Sequence, residues 1–259
     1  MSKSILHKID GKNWPLEIRW STDEDMPRIH EWLQEEKSQG VHGNFLCNWN
    51  LTKQCHQEGN LLVLLDKMEG IPIGYQWGQL LQSGILQIRN SWRGKGLGRL
   101  VVEHCIDLAL EQDEMVLQIE CKPLSSIPFW KSMGFTVVEG EYGRNAQGYR
   151  VLTKPLQLPS EGVNTTVRIS IFPEDRKWSD DVSPIDSFSP RSMQSTDGQV
   201  HLAERVAFSF HLHEGSRDPV IEILINGKVL YRDKAKYQEA QDRGVRLCLN
   251  GFFIDQVKI

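Results

Sequence analysis

Cysteine is scarce in this 259-residue chain and shows no pairing pattern. Five residues (47, 55, 105, 121 and 248) make an odd count with no C-x-x-C pair, which favours a reduced cytoplasm over a disulfide framework. Long hydrophobic runs are also missing: none approaches the ~20 residues of a membrane span. The start, Met1-Ser2-Lys3-Ser4-Ile5-Leu6-His7, lacks the apolar core of a secretion signal. No sign of charge dominates either. Thirty Lys and Arg against 34 Asp and Glu leave a formal net charge of −4, which gives no footprint for nucleic acid. A cytoplasmic chain with neither nucleic-acid nor membrane partners is expected. Metal is not expected: Cys47, Cys55 and His56 match no common zinc spacing, and His201, His211 and His213 read as a polar strand face.

What the chain does have is a glycine-rich turn, Arg93-Gly94-Lys95-Gly96-Leu97-Gly98, in an informative setting. Before it, Gly84-Ile85-Leu86-Gln87-Ile88 reads as a strand. After it, Arg99 to Gln112 reads as a helix, with Leu100, Val101, Cys105, Ile106, Leu108 and Ala109 as its apolar stripe. Glycine lets main-chain N–H groups approach a ligand without an intervening Cβ. The first N–H groups of a helix have no internal partners and lie at the positive end of its dipole, so the turn is a site for phosphate. Arg93 and Lys95 add charge there. Two familiar phosphate loops fit badly. The dinucleotide fingerprint needs G-x-G-x-x-G, but the glycines fall at 94, 96 and 98; the P-loop ending Gly-Lys-Ser/Thr is absent.

The surrounding elements alternate regularly. Leu16 to Trp20 reads as a strand, Ser21-Thr22 with Asp23-Glu24-Asp25 as the start of a helix through Glu36, and Leu61–Asp66 and Ile71–Gln79 as a hairpin. Met115–Cys121 reads as a further strand, and Ser125–Met133 as a short helix closed by Gly134. Phe135–Glu139 and Tyr149–Leu156 read as a closing β-pair. The R-x-x-G-x-G spacing resembles the acyl-coenzyme A pyrophosphate loop of the GNAT N-acetyltransferase superfamily. Phe129-Trp130-Lys131-Ser132-Met133-Gly134-Phe135 is similar to that family's second signature. The resemblance covers roughly residues 15 to 157. It implies an α/β (α+β) GNAT fold, with a mixed central sheet and flanking helices, over residues 1–157. A linker at 158–166 and a smaller all-β domain at 167–259 follow.

The resemblance implies acetyl-coenzyme A as cosubstrate, attacked directly by the primary amine of a small molecule or protein. The pantetheine arm would bond main chain near Ile88 and Asn90. The pyrophosphate would rest on the N–H groups of Arg93, Gly94, Lys95, Gly96, Leu97, Gly98 and Arg99. Trp130 occupies the position where many members carry an acid tyrosine, and an indole N–H is no practical proton source. Tyr142 and Tyr149 are the candidate substitutes. Glu120 is the best-placed general base, and its competing reading is a solvated strand residue. A lysine-like amine costs about 4–5 kcal/mol to deprotonate at pH 7 and an α-amine about 1, so without a base the second kind of acceptor is favoured.

The segment Val41 to His56 is expected to roof the acceptor cleft, with Phe45, Trp49 and Trp77 as an aromatic wall. Cys121 reads as a buried thiol before it reads as an acyl-carrying nucleophile. In the second domain, strands are expected at Val167–Phe172, Val200–His213, Pro219–Ile225, Lys228–Asp233, Val245–Leu249 and Phe252–Lys258, as a sandwich or barrel. Asn226-Gly227 and Asn250-Gly251 are hairpin turns. Glu174–Asp181 and Ser183–Ser195 read as solvated loops. This domain could gate the acceptor site, select a protein substrate or form a homodimer. A non-catalytic acyl-coenzyme A sensor is the competing reading of the whole chain.

Overall fold

The turn Asp10-Gly11, with φ of 49° and 80°, folds the chain back at its outset, as paired positive φ values do in tight hairpins. In this computed structural model β1 (Ser2–Ile9) pairs antiparallel with β2 (Lys12–Trp20), Ser2 opposite Arg19 and Ile9 opposite Lys12. Sequence periodicity pointed only to residues 16–20. The structure describes residues 2–77, 84–138, 146–174, 182–209, 218–248 and 251–259.

Helix α1 (Asp25–Ser38) follows, then α2 (Trp49–Gln57), β3 (Leu61–Asp66), β4 (Ile71–Trp77) and β5 (Ile85–Ile88). The five strands form one antiparallel sheet in the order β1-β2-β3-β4-β5. Met26, Ile29, Trp32 and Leu33 lie along one stripe of α1 and pack on Leu61, Val63 and Leu65 of β3, Tyr75 of β4 and Ile85 of β5. Helix α3 (Leu97–Glu111), β6 (Val116–Cys121), α4 (Ile127–Ser132), β7 (Thr136–Val138) and β8 (Ala146–Val151) complete the series. The last three strands form a second sheet, β6-β8-β7. Gly134 at φ 80° closes α4, in the C-cap role expected of it.

Two compact units divide the chain: Met1–Ala109 with Gln118–Gly148, and Leu110–Leu117 with Tyr149–Ile259. The expected boundary at residue 157 falls inside the second unit. β9 (Val163–Asn164) lies within the expected linker 158–166, paired with Met193 and Gln194. β10 (Val167–Phe172), β11 (Asp186–Phe188), β12 (Ser192–Gln194), β13 (Gln199–Ser209), β14 (Val220–Ile225), β15 (Lys228–Lys234), α5 (Gln238–Asp242), β16 (Arg246–Cys248) and β17 (Gly251–Lys258) follow. They form sheets β11-β10-β14-β15 and β16-β17-β13-β12-β9. Ile169 and Ile223 from one sheet share a core with Leu202, Phe208, Phe252 and Ile254 from the other, the arrangement of a sandwich. Ser183–Ser195 is not the solvated loop expected: Phe188 pairs with Ile169, and Ser192 with Leu202. Three-residue strands carry too little periodicity to be seen before their partners are known.

At the start of α1, Asp25 is 2% exposed. Its carboxylate receives Arg19 Nη1 and Nη2 at 2.6 and 3.0 Å, the Thr22 N–H at 2.7 Å and the Thr22 hydroxyl at 3.0 Å. Burial alone would raise this carboxyl group, but the donors from Arg19 and Thr22 outweigh it and hold it below its ordinary value. A depressed folded value contributes stability that is complete above the unfolded value near 3.9 and is lost as pH falls through the folded one. Asp25→Asn is therefore expected to lower unfolding stability by about 2 kcal/mol at pH 7. In urea titrations the gap from the parent should narrow below about pH 4. A gap that stays constant down to pH 3 would contradict the assignment.

Candidate functional site

The site begins with a sheet that does not continue. β5 is the last strand of the five-stranded sheet and β6 pairs with β8; among the described residues no ladder joins β5 to β6. The Arg89 N–H bonds the Ile73 carbonyl at 2.8 Å. Antiparallel alternation then turns the backbone groups of Ile85 and Gln87 toward β4 and those of Leu86 and Ile88 toward the open side. A cleft of 1220 Å³ lies along this edge, lined also by the glycine loop, by the segment from His42 to Leu51, and by Glu120, Lys122 and Trp130.

The loop presents donors. Gly94 and Gly96 have φ of 75° and 79°, conformations that side chains with a Cβ rarely adopt. Among the described residues, no backbone hydrogen bond uses the N–H groups of residues 94–99. Five of these six residues line the cleft, all but Lys95. Six successive free N–H groups at a helix start fit a phosphate-bearing ligand. Gly98 packs beside the Phe129 ring, where a Cβ would sit at an ordinary contact distance of 3.5 Å.

The charged residues of the loop are arranged otherwise than sequence suggested. Arg93 turns back on the protein, donating from Nε to the Ile88 carbonyl at 2.9 Å and from Nη1 to the His42 carbonyl at 2.9 Å. It braces the loop to the segment opposite. The Lys95 ammonium lies 5.0 Å from the centroid of Trp92, a cation–π distance. Arg99 reaches Ser132 Oγ at 3.2 Å. The Asn90 N–H, expected near the pantetheine arm, is taken by Glu36 Oε1 at 2.5 Å.

Sequence reasoning missed Glu36. It is 4% exposed, and its carboxyl group also accepts from Gln87 Nε2 at 3.3 Å and Asn44 Nδ2 at 3.5 Å. Gln87 Oε1 in turn accepts the Tyr75 hydroxyl at 3.0 Å and the Phe45 N–H at 3.1 Å. Burial pushes the Tyr75 phenol well above its ordinary value, so it serves as a neutral donor. The available signal was spacing: Ile29, Leu33 and Glu36 fall at i, i+4 and i+7, which places a carboxyl group on the apolar stripe.

Glu120 lies in the cleft wall. Its Oε1 is buried and has no hydrogen-bond partner among the described residues, with Lys122 Nζ 4.0 Å away. The other candidates are less favourably set. Tyr142 lies outside the described residues. Burial raises both the Tyr149 phenol and the Cys121 thiol, and Cys121 is 1% exposed. Trp130 lines the cleft and meets Phe129 and Phe135 edge-on at 5.0 and 5.3 Å. On the opposite wall Phe45, Cys47, Leu51 and Trp77 line the cleft. Trp49 does not: its ring stacks on His30 at 4.6 Å. His56 bonds Ser21 Oγ through Nδ1 at 2.7 Å and Asp23 through Nε2 at 3.0 Å. His211 and His213 lie outside the described residues.

The segment from residue 22 to residue 135, which holds both cleft walls, matches the family model described as Acetyltransferase (GNAT) family. These residues are a GNAT acetyltransferase domain. No curated protein matches it in sequence. Solved structures similar to part of it include a GNAT-family acetyltransferase from Listeria monocytogenes, at 13% identity and TM-score 0.44 over 58% of this chain and 100% of that one. Mosquito arylalkylamine N-acetyltransferase like 5b aligns at 12% and 0.41 over 53% and 100%. A ribosomal-protein-alanine N-acetyltransferase from Brucella melitensis aligns at 20% and 0.39 over 52% and 99%. The family assignment rests on the matched segment.

In this domain Glu36 is the support beneath the cleft. Glu36→Ala leaves the buried Gln87 amide and the Asn90 N–H without their acceptor, and is expected to cost about 2–3 kcal/mol in urea unfolding. Glu36→Gln keeps one acceptor oxygen and is expected to cost about 1 kcal/mol. Equal losses in the two variants would show that the hydrogen bonds are not what Glu36 contributes.

Proposed function

We propose that this GNAT domain transfers an acetyl group from acetyl-coenzyme A to a primary amine, on a small molecule or a protein, by direct attack in a ternary complex. The observation that carries this reading is the run of N–H groups at residues 94–99 that have no backbone partner among the described residues, set beside the edge of β5. Acetyl-coenzyme A supplies the acetyl group as an activated thioester.

The chain's own residues perform the remaining tasks. The N–H groups of residues 94–99 hold the pyrophosphate. The outward backbone groups of Leu86 and the Ile88 N–H hold the amide-bearing arm as a further strand would, the Ile88 carbonyl being taken by Arg93. Glu120, with one carboxyl oxygen buried and unbonded, takes the proton from the attacking nitrogen. As the C–N bond forms and the C–S bond breaks, the sulfur leaves as a thiolate and takes its proton from water, because the indole of Trp130 has none to give. Phe45, Leu51 and Trp77 contact the body of the acceptor.

Thiol release measured against a panel of amines tests the assignment. Glu120→Gln is expected to lower kcat/KM for alkyl amines by roughly 10²–10⁴-fold, the usual contribution of a general base. The loss for α-amines, which are already partly neutral at pH 7, should be smaller. A parent protein that binds acetyl-coenzyme A yet releases no thiol above background with any amine would overturn the transferase reading.

A further inference from the structure

The hairpin formed by β1 and β2 precedes the matched segment 22–135 and touches the glycine loop at Lys95 and the residue before the loop, Trp92. His7 Nε2 lies 2.8 Å from the Lys95 carbonyl oxygen. Trp14 meets Trp92 edge-on, with centroids 5.4 Å apart, and Trp92 in turn carries the Lys95 ammonium. Neither strand contact was visible in the sequence, where His7 and Trp14 lie far from residue 95.

A carbonyl oxygen only accepts, so His7 must donate from Nε2. That fixes more than one atom. In a trans peptide the C=O and N–H point to opposite sides of the plane. Holding the Lys95 oxygen on the His7 side therefore aims the Gly96 N–H the other way. Reversing this peptide changes ψ of Lys95 and φ of Gly96; Gly96 stands at φ 79°, and glycine accepts φ of either sign. Reversal would exchange the Gly96 donor for the Lys95 oxygen, replacing attraction for an anion by repulsion. Gly96 lines the cleft, its N–H has no backbone partner among the described residues, and a Cβ on it would lie 3.4 Å from His7 Nε2.

We propose that His7 is a positioning residue for the phosphate loop: it locks the Lys95–Gly96 peptide in the orientation that points an N–H at the ligand. The inference rests on the reading of residues 94–99 as the coenzyme A site. It adds a residue outside the acetyltransferase segment to that site. His7 does not touch the ligand and acts through the peptide it holds.

The test is coenzyme A binding by calorimetry, with thermal midpoint and acetyl-coenzyme A kinetics measured on the same full-length proteins. His7→Ala is expected to weaken coenzyme A binding about tenfold, as loss of one organising hydrogen bond would. KM for acetyl-coenzyme A should rise in step, with kcat and the thermal midpoint unchanged. His7→Gln, whose side-chain N–H can reach the same carbonyl, should stay within about twofold of the parent. If the parent binds coenzyme A and His7→Ala binds it equally well, the proposal is overturned alone. A His7→Ala protein that binds weakly but also melts earlier, with no rescue by glutamine, reduces His7 to a packing role and overturns it too. A parent that binds neither coenzyme A nor inorganic pyrophosphate overturns the reading of the loop, and this proposal with it.

Discussion

The buried carboxyl group of Glu36 is the point on which the cleft depends. It projects from the inner face of α1 and collects three donors that belong to three different parts of the site. These are the Asn90 N–H where the chain leaves β5, the Gln87 amide on β5, and the Asn44 amide in the segment opposite. Arg93 makes the complementary connection from outside, tying the Ile88 carbonyl to the His42 carbonyl. One acceptor and one donor thus fasten both walls of the cleft to the same strand. A loop that offers bare N–H groups has no internal bonds to hold its shape, so its geometry must be imposed by neighbours. Ordering it in advance removes an entropy cost from binding.

The same logic explains why β5 ends its sheet. A strand edge that pairs with nothing is a liability in most folds. Here, among the described residues, no strand pairs with the outward side of Leu86 and Ile88, of which only the Ile88 carbonyl is taken, by Arg93, and β6 belongs to a separate ladder. Gly74 on β4 shows how tightly the edge is seated: a Cβ there would come within 2.6 Å of the Ile88 side chain. The open edge is therefore fixed in place, and a ligand can pair with it as a strand would.

Much of this was legible in the sequence, and the part that was not has a common cause. The loop, the helix after it, the strand 85–88 and β10 were all visible because each carries a local signal: glycine spacing, helical stripe or alternation. β1, β9, β11 and β12 were not. They are short or mostly exposed, and they become strands only through partners distant in sequence. Helix α2 is nine residues long and only Thr52 on it is fully buried, with Trp49 and Cys55 half-covered, so its stripe spans too few turns to stand out in the sequence. Arg93 and Glu36 were misread or overlooked for the converse reason. Sequence presents a charged residue as solvated, and only tertiary structure shows it turned inward.

The proton chemistry is thinly provided compared with the binding loop, and magnitudes show which lack matters. A thiol with the reference value near 8.5 lies only about 2 kcal/mol above its protonated form when released at pH 7. Water can meet that demand, so Trp130 in place of a tyrosine costs the proposed reaction little. The amine side is different. Removing a proton from an alkyl ammonium requires about 4–5 kcal/mol at pH 7, and no solvent species at that pH accepts it cheaply. Of the two proton transfers in the proposed reaction, the one that needs a protein group is the one assigned to Glu120, whose buried Oε1 has no hydrogen-bond partner among the described residues. In the proposed reaction the glycine loop and Glu120 therefore divide the work: the first would determine what is held, and the second which amines can react.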